Sequence, residues 1–169
     1  MAEYLAVAAQ NVSLNQAAVF EASIPCRAGN VAFESGTGVF VLRGNTCNCF
    51  ARYSVDFNGN IAIPEGGTAG PIAVAISVNG EARPSSLAIS TPAAAEEFNN
   101  VTSTAIIDVP RGCCAFISLR HVPASTDPTV TPAPVITIQN GISELTVSHK
   151  GGTYNVSNAT FRWPSQTCR

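Results

Sequence analysis

Residues 57–92 decide the fold of this chain, and they read FNGNIAIPEGGTAGPIAVAISVNGEARPSSLAISTP. Within them, Pro71–Val78 alternates bulky Ile and Val with small Ala and Ser, which is the period of a β-strand. Asn79-Gly80 follows at once, and this dipeptide favours a two-residue hairpin turn because both positions tolerate positive φ. The segment 81–89 is therefore predicted to return as the partner strand, with Pro84 at an edge or a bulge.

The two faces of the predicted 71–78 strand differ in size. The bulky side chains share one face and the small ones the other: Ile72, Val74, Ile76 and Val78 against Ala73, Ala75 and Ser77. A strand of this kind suits a sheet that is packed closely on both sides. We expect Val74, Ile76 and Val78 to lie in the core or on a symmetry axis, and the small face to approach other copies of the chain.

Short alternating segments recur along the chain. FARYSVDF, at residues 50–57, places Tyr53, Val55 and Phe57 on one face, where they are candidates for core or trimer packing. Further short segments are bounded by Gly, Pro or Asn: 18–24, 31–35, 38–44, 61–64, 103–110, 113–122, 134–140 and 142–149. Asn58-Gly59 and Asn140-Gly141 are two more turn signals, the second predicting a hairpin between the last two segments. About eight to ten short strands at such spacing predict an all-β antiparallel sandwich or barrel.

The β domain is expected to end near Lys150. We assign residues 1–150 to it, and residues 151–169, GGTYNVSNATFRWPSQTCR, to a C-terminal tail behind a Gly-Gly hinge. The tail holds Phe161 and the single tryptophan of the chain, Trp163. Aromatic side chains on an arm predict docking on a partner, and a strand folded back on the same subunit is the alternative.

Charge is scarce in this sequence. Asp, Glu, Lys and Arg make up 12 % of the chain, against roughly 25 % in soluble domains. Because charged side chains keep surfaces apart, this shortage predicts an obligate oligomer that hides much of its surface.

The net charge of −2 and the scattered cations argue against a nucleic-acid partner. No apolar run is long enough for a membrane-spanning helix and no Sec-type export signal is visible, so neither a membrane partner nor secretion is expected.

The six cysteines do not follow a metal motif. Their spacing includes C-x-C at Cys47 and Cys49 and C-C at Cys113 and Cys114, whereas zinc sites use C-x-x-C pairs. These four cysteines are predicted to be buried thiols, and a disulfide between the first pair and the second is the alternative.

The sequence shows no catalytic constellation. His121 and His149, the two histidines, lie near the ends of predicted strands and outside any nucleophile elbow or metal motif. The glycine-dense segment 66–70 joins two strands, so it presents no helix N-terminus to an anion. We therefore expect no enzyme activity, no catalytic residue, no cofactor and no metal site.

Six segments follow one another in a recognisable order. They are LNQAAVFEASIPC, GNVAFESGTGVFVLRG, CFARYSVDFNGNIAIP, AVAISVNGEARPSSLAISTP, TAIIDVPRGCCAFISLR and VITIQNGISELTVSHK. Their order resembles the jelly roll of the tumour necrosis factor and complement globular-head superfamily, in its bacterial and phage branch. The resemblance covers residues 13 to 149 and implies a β-sandwich that forms tight homotrimers.

The same resemblance implies a function. Within the phage branch, the chain would be a trimeric capsid decoration protein, of the head-fibre or cement type, on the outside of a phage head. Its partners would be its own copies, the major capsid protein and host surface glycans, and it would be made in the host cytoplasm. The alternatives are a spore-coat or cell-surface protein of the same fold, and a glycan-binding adhesion module. The sequence has no Gly-x-y stalk repeat, which favours a stand-alone trimer.

Overall fold

The computed structural model describes residues 2–24, 30–125, 131–140 and 143–150. Over these residues the chain forms β-strands and one short 3-10 turn, Pro84–Ser86. The strands are β1 (Ala2–Leu5), β2 (Gln10–Ser13), β3 (Glu21–Ile24), β4 (Val31–Glu34), β5 (Val39–Arg43), β6 (Phe50–Ala62), β7 (Ile72–Val78), β8 (Glu81–Ala82), β9 (Ala88–Ser90), β10 (Asn99–Pro110), β11 (Cys114–Val122), β12 (Val135–Ile138) and β13 (Glu144–Lys150). The predicted all-β antiparallel fold is confirmed. The proposed tail, with Phe161 and Trp163, lies outside the described residues.

The strands form two antiparallel sheets that pack face to face. In the first sheet, the long strand β6 pairs with β10 along one edge and with β13 and then β12 along the other. β13 also pairs with β1, which pairs with β3, and β12 also pairs with β2. The second sheet has the order β4-β5-β11-β7, and β8 and β9 both pair with the far edge of β7. One side of the sandwich therefore ends in β10 of the first sheet and β9 of the second.

Two of the predicted connections differ in the structure. Asn58-Gly59 is not a turn, because β6 runs straight through it and pairs with β10 from Phe50 to Ile61. β12 and β13 do not form a hairpin with each other, since they follow one another along the same edge of β6. Both differences come from pairing with a distant strand, which outweighs a local turn preference.

The hairpin after β7 is confirmed, although its second arm is interrupted. Asn79 and Gly80 have φ values of 54° and 90°, as a type I′ turn requires. The returning arm is divided into β8 and β9 by the 3-10 turn that starts at Pro84. Proline fixes φ and lacks an N–H, so it cannot continue the ladder at this position. The Ser86 hydroxyl then accepts a hydrogen bond from the Ile76 N–H at 3.0 Å and holds the turn against β7.

The core lies between the sheets and is built around aromatic rings. The Phe40 ring centroid lies 4.6 Å from that of Tyr4 and 4.9 Å from that of Phe33. Phe20 bridges this group to Phe57 of β6, at 6.1 Å between centroids. Burial of each such ring contributes roughly 1.5–3 kcal/mol of transfer free energy, so this cluster is a main source of stability.

All six side chains proposed for core or trimer packing lie in the interior of one chain. Five are fully buried, and Val78 is half-buried and packs against the same core: Tyr53, Val55, Phe57, Val74, Ile76 and Val78. The structure therefore places these side chains in or against the core of their own subunit.

The small face of β7 is also closed. Ala73, Ala75 and Ser77 are at most 1 % exposed. Ala73 and Ala75 pack with Val122 and Ala124, which belong to β11 and the segment after it. The chain itself therefore covers this face, and the expectation that it approaches other copies is wrong.

Candidate functional site

The outer side of the first sheet is open to solvent along β10 and partly open along β6 and β13, where Ser54 of β6 is 7 % exposed. β10 shows the alternation most clearly, because every second residue from Asn100 to Pro110 is exposed while the residues between are buried. We call this surface the open face, and its outward residues are Arg52, Ser54, Asp56, Asn58 and Asn60 of β6, Asn100, Thr102, Thr104, Ile106 and Asp108 of β10, and Thr146 and Ser148 of β13.

The middle of the open face combines short side chains with one exposed isoleucine. The strand register places Ile106 of β10 beside Ser54 of β6, and Ser54 beside Ser148 of β13. Ile106 is 54 % exposed, which is unusual for an isoleucine at the centre of a strand. Serine neighbours do not reach over it, so another protein surface can approach the backbone closely here.

One end of the open face is a ladder of neutral amides. The Asn100 Nδ2 donates to the Oδ1 atoms of Asn58 and Asn60, each at 3.1 Å. The Asn60 Nδ2 donates in turn to the Gln139 Oε1 at 2.9 Å. Because these amides satisfy one another, the ladder is ordered without a ligand and without charge.

The other end of the open face carries a neutralised ion pair. Arg52 Nε and Nη2 donate to the two carboxylate oxygens of Asp108, both at 2.6 Å. The hydrogen bond from Arg52 lowers the pKa of Asp108 below its ordinary 3.8, while partial burial acts in the opposite direction. Further along, the Asp56 carboxylate accepts a hydrogen bond from the Ser54 hydroxyl at 2.9 Å. The face therefore presents little net charge to an incoming surface.

Apolar side chains flank the side edge of the sandwich, where β9 and β10 lie together. Leu87 and Ile89 are 40 % and 50 % exposed on the β9 side, where Ile89 lies beside Ala73 on the outer side of the second sheet, and Ile106 is exposed on the outer side of the first sheet. The two strands are fastened by the Ser103 hydroxyl, which donates to the Ser86 carbonyl oxygen. We call Leu87, Ile89 and Ile106 the apolar edge. Over the described residues, the outer ladder of β10 pairs with no strand, and such an edge invites pairing or packing with another chain.

A separate groove of about 600 Å³ opens at the end of the sandwich where β6 ends. The loop 63–71, including the glycine-dense segment 66–70, forms one wall, and residues 131–135 form the other. The lining is mostly glycine, proline and alanine, with Glu65 as its charged group. No aromatic ring among the lining residues could stack on a sugar, so the groove does not favour the glycan-binding alternative.

Neither histidine takes part in a catalytic arrangement. His121 is 1 % exposed, and its Nδ1 lies 3.2 Å from the carbonyl oxygen of Val12. Burial lowers the pKa of His121 below its ordinary 6.5, against the effect of hydrogen bonds to the backbone of Val12 and Ser13. His149 is exposed, with its ring 5.1 Å from that of Tyr53. Across the described ranges, no group of three or more His, Cys, Asp or Glu residues is arranged to hold a metal ion.

The cysteines differ from both alternatives considered for them. Cys47, Cys113 and Cys114 are exposed free thiols, and Cys49 is exposed and disulfide-bonded. The structure therefore joins neither Cys113 nor Cys114 to Cys47 or Cys49, and none of the four is buried. Their strand-end and loop positions explain this, because the small-hydrophobe expectation applies only where a strand runs through the core.

The sequence did not identify Ile106 or the apolar edge. Ile106 and Ile107 are adjacent, so one of them had to face outward, but the segment TAIIDVP does not reveal which sheet edge it occupies. The charge shortage was the available signal that some surface is reserved for contact.

In the part of the chain that the structure describes, no helix is long and apolar enough to cross a membrane.

Comparisons with known proteins support the fold. No family model matches the sequence, and no curated protein sequence matches it. Among solved structures, Eiger TNF from S. frugiperda is similar with a TM-score of 0.60 and 11 % identity, covering 98 % of this chain and 96 % of that one. Murine APRIL has a TM-score of 0.56 and 11 % identity over 86 % and 95 % of the two chains. The globular domain of the zebrafish complement 1qA protein has a TM-score of 0.53 and 10 % identity over 87 % and 94 %.

These likenesses establish the fold and nothing finer, because the sequence identities are low. The chain has a jelly-roll fold like that of the tumour necrosis factor and complement globular-head proteins. The expected resemblance is thereby confirmed at the level of fold. The bacterial and phage branch stays a prediction.

Proposed function

We propose that this chain is a non-enzymatic structural protein that works as a homotrimer, and that the trimer decorates the outside of a phage head. The observation that supports self-association is the apolar edge beside the open face, whose charged groups are few and include the Arg52–Asp108 ion pair. Ile106, 54 % exposed between short neighbours, is the centre of that surface.

The arrangement suits a contact between unlike surfaces. The apolar edge of one copy would pack on the open face of the next, so that Leu87 and Ile89 are covered by β6 and β13 of the neighbour. A contact between different surfaces is heterologous, and it closes into a ring when the rotation between copies divides the circle evenly. Three copies is the number that the sequence resemblance implies. The low charge of the chain supports the same arrangement, because a monomer would leave this surface exposed.

The capsid role rests on the sequence resemblance. It is supported by the order of the six segments and by the absence of a catalytic constellation in the sequence. The partner would be the major capsid protein, and the location would be the capsid exterior after synthesis in the host cytoplasm. A function carried by surfaces rather than by chemistry agrees with an open face whose polar groups largely satisfy one another.

The self-association proposal is tested by light scattering on purified chain at micromolar concentration. Wild type is expected at three times the chain mass of 17.5 kDa. Ile106→Arg is expected to shift the mass towards a single chain, because it places an unpaired charge at the centre of the contact. The matched control is Phe116→Arg, which alters a residue 53 % exposed on the outer side of the second sheet and should leave the trimer intact. A wild-type mass of one chain, or loss of the trimer only in the control, contradicts the proposal.

The capsid role is tested on particles from the source culture. Phage particles purified by density gradient should contain the chain in stoichiometric amounts by mass spectrometry, and antibody labelling should decorate the outside of intact heads. Recovery of the chain only with spores or cell envelopes would contradict this role and would favour the cell-surface alternative.

A further inference from the structure

Three exposed thiols are gathered at the end of the sandwich where β6 begins. Cys47 lies in the loop between β5 and β6, Cys113 lies in the turn that leads from β10 of the first sheet to β11 of the second, and Cys114 is the first residue of β11. All three are free and exposed. We call these residues the thiol cluster.

Backbone hydrogen bonds hold the two loops of the thiol cluster together. The Gly44 N–H donates to the Cys113 carbonyl oxygen at 2.8 Å, and the Arg111 N–H donates to the Cys49 carbonyl oxygen at 2.9 Å. A Cβ atom on residue 44 would collide with the carbonyl oxygen of Pro110, so this approach requires glycine. The thiols therefore sit on two loops that are fixed against each other rather than on independent loops.

The surroundings of the thiol cluster are cationic. Arg43 and Arg111 are exposed at the cluster, and Arg43 is the register partner of Cys114. No Asp or Glu occurs in the sequence from 43 to 51 or from 109 to 120. Metal binding does not compete, since the described residues contain no three-ligand group.

The position of the two loops relates the thiols to the subunit contact. The turn after β10 holds Cys113 and leads to Cys114 at the start of β11, and the Cys47 loop leads into β6, which carries the open face. Rotation about an axis along the strands keeps the same end of every copy at the same height. When the apolar edge of one copy packs on the open face of the next, the turn after its β10 meets the Cys47 loop of that neighbour.

We propose that the thiol cluster is a covalent cross-linking site, at which Cys113 or Cys114 of one copy forms a disulfide with Cys47 of the next. This inference rests on the proposed edge-on-face trimer. The oxidant is a small-molecule disulfide of the oxidised-glutathione class. A reducing cytoplasm keeps the thiols free during assembly, and release from the cell exposes them to oxidising conditions, in which the finished trimer becomes locked.

The chemistry is ordinary thiol–disulfide exchange in two steps. The thiolate of Cys113 or Cys114 attacks one sulfur of the small disulfide, the S–S bond breaks, and one small thiol leaves with the proton that the cysteine lost. The Cys47 thiolate of the next copy then attacks the protein sulfur of the mixed disulfide and releases the second small thiol. Two protein thiols are oxidised to one disulfide, and the two electrons reduce the small disulfide to two thiols.

The test uses full-length chains labelled with ¹⁴N and ¹⁵N, mixed in denaturant and refolded together under reducing conditions. After exchange into oxidised glutathione, the remaining thiols are alkylated and the protein is digested with trypsin. We expect linked peptides 44–52 and 112–120 of which one is light and the other heavy, and peptide 44–52 also carries the peptide joined to it through the disulfide of Cys49. We also expect bands of up to three chains on non-reducing gels. Cys47→Ser and the double variant Cys113→Ser/Cys114→Ser should each abolish both signals, whereas Asn45→Ala in the same loop should retain them.

Light scattering of each sample before oxidation separates the two proposals. Variants that remain trimeric but no longer cross-link support the disulfide assignment and leave the trimer proposal standing. A trimeric wild type that oxidised glutathione does not cross-link overturns the cross-linking site alone. Linked peptides of a single isotope only, or cross-links that survive in Cys47→Ser, overturn it as well. A single-chain mass for wild type overturns the trimer proposal, independently of the gel.

Discussion

The outer faces of the two sheets are built from similar strands, but they differ in solvent exposure along β7 and β10. On the second sheet, Ala73, Ala75 and Ser77 of β7 are at most 1 % exposed within the single chain. On the first sheet, β10 exposes Thr104 and, at 54 %, Ile106. Both strands alternate, so alternation alone does not separate a covered face from an open one. The difference lies in what the neighbouring strand supplies.

On the second sheet, β11 supplies one long side chain beside the small face of β7. Its Arg120 is the register partner of Ala75 and extends along the sheet until its Nη1 donates to the Gly80 carbonyl oxygen at 3.0 Å. Beside it, the hydroxyl oxygens of Ser77 and Ser118 lie 2.8 Å apart, and both residues are buried although both are short. Among the described residues of the first sheet, β10 is an edge strand, so Ile106 has one cross-strand neighbour, Ser54, which does not reach over it. The exposure of Ile106 therefore comes from its place at a sheet edge as well as from its short neighbour.

The largest expected effect comes from removing the core that both faces share. Phe57→Ala should lower the free energy of unfolding by about 3–5 kcal/mol, because it empties the space between β6 and Phe20. Chemical denaturation followed by circular dichroism measures it. The adjacent Asn58→Ala, on the open face, is the control and should cost no more than about 1.5 kcal/mol, because it removes an exposed hydrogen bond from Asn100. Equal losses in the two variants would mean that β6 does not divide core from surface as described.

The covered and open faces can be compared directly by adding the same bulk to each. Ala75→Leu should destabilise the chain by about 1–3 kcal/mol, because the space above Ala75 is already filled. Thr104→Leu, on exposed β10, should shift stability by less than about 0.5 kcal/mol. Both are measured by denaturation in an Ile106→Arg background, so that subunit contacts do not contribute. A tolerated Ala75→Leu would show that the second sheet has an open outer face after all.

The sequence predicted what depends on local preference. PIAVAISV and Asn79-Gly80 predicted β7 and its turn, because alternation and positive φ are properties of adjacent residues. Asn58-Gly59 has the same turn signal, yet it lies inside β6, where pairing with β10 on one edge and β13 on the other holds it extended. Whether such a dipeptide turns is decided by strands more than 40 residues away, as the pairing of Asn58 with Thr102 shows.

The candidate site was less accessible to sequence reasoning than the fold. Low charge predicted that some surface is hidden, but the location of that surface depends on which strand ends the sheet. Ile106 became a candidate only when β10 was placed at an edge with Ser54 beside it. The exposed thiols were missed for a similar reason. Cys113 and Cys114 continue an apolar strand in the sequence, whereas in the structure Cys113 lies in the turn between the two sheets and Cys114 is the first residue of β11.

The smallest expected effect is the pH dependence of stability that comes from the buried His121 of the second sheet. His121 of the second sheet is buried, and burial lowers its pKa below the ordinary 6.5, so the unfolded chain takes up the proton first as the pH falls. Stability is therefore fully present above pH 6.5 and is lost progressively as the pH falls towards the folded-state pKa. Between pH 7.5 and pH 6 the loss should be less than about 1 kcal/mol, since an unfolded histidine is only partly protonated in that range. Denaturation midpoints across this range measure it. His121→Asn should flatten the profile. A variant that keeps the wild-type slope would mean that the buried imidazole of His121 is not the group whose protonation destabilises the fold.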